Sequence, residues 1–161
     1  MLLSFLFLFP PKASISQPGD GIIVSRAVAN TLIACGSGGI VVLFIIKMIP
    51  GGKWSIIQLI NGCLAGMLVS YPPLLVMLLL GMVSVCAGCD GYYPWASILV
   101  ASIAGVCYVI VSRTMVSVKV DDPLDAVAVH ASSGLWGTIA APIFMEHGGI
   151  VIYSSVVKFL A

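Results

Sequence analysis

The sequence has 161 residues, is 60% hydrophobic and only 8% charged, and carries a formal net charge of +1 at a mean hydropathy of +1.17. A soluble domain carries about 25% charged residues, so this composition excludes one and indicates an integral membrane protein with several spans. Lys and Arg are scattered at the ends of apolar runs and form no basic cluster, which leaves no footing for nucleic acid.

Residues 1–9 (MLLSFLFLF) are apolar but lack a basic leading segment, and Pro10-Pro11 ends the run. They make an unconvincing secretory leader, and a helix of about nine residues cannot span a bilayer. Residues 1–12 are therefore set apart as an atypical apolar start. Residues 14–22 form a polar, turn-rich loop with Arg26 at its far edge.

Ala27 to Met48 is the first clear predicted span. It holds Asn30, Thr31, Ser37 and the cluster Gly36-x-Gly38-Gly39. No strand-to-helix context surrounds that cluster, so it is not a phosphate loop; it fits a close helix contact. Asn30 is better read as an interhelical or capping group than as a pathway residue.

Lys47 to Lys53 is a short basic turn around Pro50-Gly51-Gly52, followed by Trp54 at an interface. The apolar stretch Ser55 to Ala87 would make a helix of roughly 50 Å, against a hydrocarbon core of about 30 Å. Pro72-Pro73 breaks it midway. Lys47 and Lys53 lie in one loop and Arg113 and Lys119 in a later one, while residues 86–95 between them carry no Lys or Arg. The positive-inside rule puts both basic loops in the cytoplasm. An odd number of crossings must then separate Trp54 from Ala87, and one crossing is the simplest.

The five cysteines, Cys35, Cys63, Cys86, Cys89 and Cys107, fall mostly in apolar stretches and read as small hydrophobes. Cys86-Ala87-Gly88-Cys89 has redox-motif spacing, but neither a second ligand pair nor a soluble βαβ context accompanies it. No metal or cofactor is expected. Gly91 to Trp95 is an interfacial turn, and Ala96 to Val111 the next span.

The chain is organised around Asp121-Asp122-Pro123-Leu124-Asp125 and the apolar run that follows to Met145. Asp122 suits a helix cap and Pro123 the first helical position. Asp125 adds negative charge to the first turn, where the helix dipole favours it. On that reading His130 lies about 10 Å along the axis, inside a span of about 20 residues. Its helical neighbours Ala126, Ser133, Gly134, Gly137 and Thr138 are small. An ionisable side chain at such depth is costly, so a pathway or relay is the working hypothesis, against a histidine that only bonds a neighbouring helix. His147 is expected in a loop, and residues 147–161 form an apolar tail too short to span by itself.

The string DDPLDAVAVHASSGLWGT resembles the late pore helix of the ammonium transporter (Amt/Rh) family, with Ala131 where members usually have glycine. The likeness continues in SISQPGDGIIVSRAVANTLIACGSGG, GGKWSIIQLINGCLAG and MVSVCAGCDGYYPWASILVASIAGV. It covers most of residues 13–146. Family members run NGCLAG almost directly into MVSVCAGC, so residues 67–81 read as an insertion.

The resemblance implies an all-α, polytopic membrane helix bundle of about four transmembrane helices, part of the second half of an inverted-repeat transporter fold. It implies that ammonium is recruited, loses a proton and passes as ammonia through a narrow pore lined by two histidines. His130 would be the second of these. Asp121, Asp122 and Asp125 would lie at the cytoplasmic start of the helix, chiefly as caps. The first histidine, the phenylalanine gate and the recruiting vestibule belong to the other half, so this chain is expected not to conduct alone. The family also implies a homotrimer, a multi-pass location in the plasma membrane and no enzymatic activity. The alternative is another polytopic transporter with a proton-relay histidine. A membrane enzyme would need a nucleophile–base set, and none converges on His130.

Overall fold

The computed structural model describes residues 20–68, 91–146 and 150. Four helices run through them: α1 (Asp20–Met48), α2 (Ile56–Leu68), α3 (Pro94–Ser117) and α4 (Ala126–Phe144). No strand occurs among the described residues. Three segments are long and apolar enough to cross a membrane, Ser25–Met48, Pro94–Ser117 and Ala126–Phe144, while α2 is a shorter apolar helix. Residues 1–12, most of 67–81, Cys86, Cys89, His147 and nearly all of 147–161 lie outside the described residues.

Side-chain pairs fix the helix directions. Asn30 in the first half of α1 donates to the carbonyl of Tyr92, just before α3, at 2.7 Å. Gln58 in the first turn of α2 donates to Asp125, just before α4, at 3.4 Å. So α1 runs with α3, and α2 and α4 run the other way. Trp54 and Gly91 lie at opposite ends of the bundle. Both basic loops share one end, as the charge pattern requires.

Glycines set the α1–α2 distance. A Cβ built on Gly38 would fall 2.6 Å from the Gly62 carbonyl oxygen, and one on Gly66 would meet the Ala34 carbonyl. Only bare backbone permits that approach, the usual device where lipid supplies no hydrophobic drive between helices. The adjoining core gathers Val42, Ala65, Tyr108, Val109, Ala128 and Val129. Towards the other end α3 and α4 are pinned by Trp136, whose indole N–H donates to the Val100 carbonyl at 2.9 Å, and by the edge-to-face pair Trp95 and Phe144. Leu32, Ile40 and Phe44 point outward along α1, as lipid-facing residues would.

Element ends follow local chemistry. Gly51 takes φ 80° in the turn after α1. Pro94 opens α3, where its missing N–H costs nothing. The last turn of α3 closes with the Val118 amide on the Thr114 carbonyl and the Val120 amide on that of Met115. Lys119 between them is left-handed at φ 58°.

Candidate functional site

The start of α4 departs from the sequence expectation. Pro123 and Leu124 form a turn and the helix begins at Ala126. The reason is Asp125, whose left-handed backbone at φ 53° and ψ 27° interrupts any helix from Pro123; aspartate is one of the few residues that tolerates this region. The Asp122 carboxylate reaches across the turn. It accepts from the amides of Ala126 at 2.9 Å, Val127 at 2.8 Å and Ala128 at 3.4 Å. These are donors that a helix start leaves without intrahelical partners. Asp121 remains exposed beside it.

Asp125 is not a first-turn dipole charge. Its side chain turns into the bundle, where Oδ2 accepts from the Tyr108 hydroxyl at 2.8 Å and Oδ1 from Ser112 at 3.1 Å. The Tyr108 oxygen also lies 2.7 Å from Gln58 Oε1 and receives Asn61 Nδ2 at 3.3 Å. Asn61 further reaches the Leu124 carbonyl at 3.4 Å. One polar knot thus ties α2, α3 and the α4 start together at the end that carries the basic loops. Sequence reading missed Gln58, Asn61, Tyr108 and Ser112 here. The available signal was spacing: Gln58 and Asn61 are three apart and Tyr108 and Ser112 four apart, each pair on one face of an apolar helix.

His130 stands apart from this knot. It follows Val129, which is buried in the core with Tyr108, so its side chain is turned about 100° round the helix from that core. With α4 beginning at Ala126, His130 lies roughly 6 Å along the helix axis. It is half-buried and borders the face of α4 on which Val127, Leu135 and Ile139 are exposed. Its Nδ1 is enclosed and has no hydrogen-bond partner among the described residues, and the same holds for Ser133 Oγ one turn on. A buried polar atom without a partner is costly and calls for an explanation. The imidazole can donate from one nitrogen and accept at the other. The described residues include no group of three or more side chains able to hold a metal ion.

At the opposite end, Glu146 gathers α1 and the α3 start. Arg26 pairs with its carboxylate, the Tyr93 hydroxyl donates to it at 2.9 Å, and Arg26 lies over the Tyr93 ring at 5.3 Å. The Glu146 amide donates to the Gly91 carbonyl at 2.7 Å. The bond to Glu146, aided by partial desolvation and the carboxylate charge, raises the Tyr93 phenol above its ordinary range, partly offset by Arg26.

The sequence matches the profile of the Ammonium Transporter Family over residues 1–159. It is 39% identical over 138 residues to "Putative ammonium transporter 1" of Caenorhabditis elegans, covering 86% of this chain and 23% of that protein. It is 28% identical over 142 residues to "Ammonium transporter 1 member 2" of rice, Oryza sativa subsp. japonica, covering 88% and 25%. The structure aligns with the crystal structure of Saccharomyces cerevisiae Mep2 at a TM-score of 0.61 and 20% identity, over 77% of this chain and 25% of that one. At that identity the likeness concerns the fold. The chain spans about a quarter of the length of each of these relatives.

Proposed function

Because the chain belongs to the ammonium transporter family, we propose that it forms part of a membrane path for ammonium, or for the ammonia left when ammonium loses a proton, with His130 lining that path. The observation that carries the reading is the half-buried His130 with its unpartnered Nδ1, held beside an uncovered face of a membrane helix. A polar nitrogen kept open just over one turn inside a membrane-spanning helix suits a passing amine better than a structural contact.

The chain supplies part of the second half of the transport fold. The uncovered face of α4 is where the other half packs and closes the pore against His130. This chain therefore does not conduct alone. Asp122 caps the pore helix, and Asp121 stands at the cytoplasmic mouth. Asp125 holds α4 against α2 and α3 rather than meeting the cargo. The whole transporter is a homotrimer in the plasma membrane, and residues 67–81 are an insertion within its frame. Among the relatives, those named for an activity are transporters, and the chain acts without enzymatic chemistry.

The test is methylammonium uptake in transporter-deficient cells. The chain as given is compared with a version extended by an upstream family half and lacking residues 67–81. Uptake is expected from the extended version alone. Uptake by the chain as given would overturn the shared-pore reading. Two versions that reach the membrane and remain inactive would favour a proton-relay transporter of another cargo.

A further inference from the structure

The corner where α1 turns into α2 carries Lys47, Lys53 and Trp54, all exposed. No Asp or Glu stands anywhere between residues 21 and 89. Among the described residues neither lysine pairs with a carboxylate; the ion pair found there joins Arg26 to Glu146 at the other end of the bundle. The turn itself is held in shape. The Ile49 amide donates to the Ile46 carbonyl at 3.3 Å and the Gly52 amide to the Ile49 carbonyl at 2.8 Å. Gly52 sits against the Ile46 carbonyl where a Cβ would not fit. The chain is thereby folded back so that Lys47 Nζ lies over the Trp54 ring, 5.7 Å from its centroid, within reach of a cation–π attraction.

The flank of this corner is apolar. Phe44 and Met48 on α1 and Ile56 and Ile57 on α2 are all exposed, on helices that belong in a bilayer. A cationic rim with an interfacial tryptophan above an apolar flank fits a molecule with a negative head and hydrocarbon chains. An acidic peptide from the aqueous side would meet the rim and leave the flank unused. We propose that this corner binds an anionic phospholipid of the leaflet it faces. The head-group phosphate meets Lys47 and Lys53 beside Trp54, and the acyl chains lie along Met48, Ile56 and Ile57. The site rests on the charge and exposure of the α1–α2 corner and goes beyond the transport reading, because it holds whatever the cargo is.

The test titrates the full chain in detergent with phosphatidylserine and, separately, with phosphatidylcholine, and reads the first bound lipid by native mass spectrometry. Each lysine beside an anionic head group is expected to tighten binding about fivefold, so phosphatidylserine should bind roughly tenfold or more above phosphatidylcholine. Lys47→Gln and Lys53→Gln should each weaken phosphatidylserine about fivefold and leave phosphatidylcholine unchanged. Arg113→Gln and Lys119→Gln remove the same charge from the other basic loop at that end and should change neither. Inorganic phosphate should not displace the lipid, because it has no chains to lie on the flank. Equal affinity for the two lipids overturns the proposal, and that comparison needs no variant. A loss in the Arg113 and Lys119 variants as large as in those of Lys47 and Lys53 overturns it too, by assigning the preference to the charge of the whole end. Displacement by phosphate overturns the lipid as occupant.

Discussion

Tyr108 and Asp125 lock the second half of α3 to the start of α4, the phenol donating to the carboxylate at 2.8 Å from a fully buried position. The same hydroxyl meets Gln58 and Asn61 of α2, so one oxygen atom serves three elements. Removing it in Tyr108→Phe keeps the ring and its packing but strips Asp125 of a donor. A hydrogen bond to a charged group contributes about 1.5–3 kcal/mol, and the loss of stability is expected in that range. Denaturant unfolding in detergent micelles measures it; a change under about 0.5 kcal/mol would mean that water replaces the hydroxyl at no cost.

Asp122 gives a second prediction, because its carboxylate satisfies three amides at the start of α4. Asp122→Ala should cost about 0.5–2 kcal/mol and Asp122→Asn much less, since an amide oxygen still caps. Amide exchange at Ala126, Val127 and Ala128 should quicken in the alanine variant. Unchanged exchange at these three residues would show that the cap is not holding the helix start.

Gly36 and Gly38 lie two residues apart on α1 and should respond in opposite ways. A Cβ at Gly36 meets nothing within 4 Å, whereas one at Gly38 meets the Gly62 carbonyl at 2.6 Å. Gly38→Ala should lower stability by about 1–3 kcal/mol, the usual cost of overpacking. Gly36→Ala should be neutral or mildly stabilising, as alanine is the better helix former by up to about 1 kcal/mol. Equal effects at the two positions would contradict the close α1–α2 contact.

Much of this was legible in the sequence. Low charge and long apolar runs announced the membrane bundle, and the glycine cluster announced a close helix contact, which the structure places between α1 and α2. Asn30 was legible as an interhelical group, and it bonds the Tyr92 carbonyl. The polar knot was less so. Asp125 meets Tyr108 and Gln58 across 17 and 67 residues of chain, and such partners emerge only when helices are packed at a defined rotation. The α4 start was misread for a local reason. Asp-Pro at residues 122–123 favours a helix beginning there, and nothing in the sequence announced that Asp125 would turn left-handed to reach Tyr108.

At the other end of the bundle, Tyr93 should titrate abnormally. The bond to the Glu146 carboxylate raises its phenol above the ordinary tyrosine value. A group raised in this way stabilises the fold below its ordinary pKa, and that contribution is lost as the pH rises through the folded value. Ultraviolet titration of Glu146→Gln should show one tyrosine midpoint moved down towards the usual range of about 10. The partly buried Arg26–Glu146 pair should weaken with added salt. A midpoint that does not move would separate Tyr93 from Glu146.

The most direct test of the pathway concerns His130. In the version extended by an upstream half and lacking residues 67–81, methylammonium uptake is measured for the parent and for His130→Ala at equal amounts in the membrane. The expected result is that uptake falls, or that discrimination between ammonium and other small cations is lost, while the yield of folded protein is unchanged. Uptake and selectivity identical to the parent would contradict the assignment of His130 to the transport path.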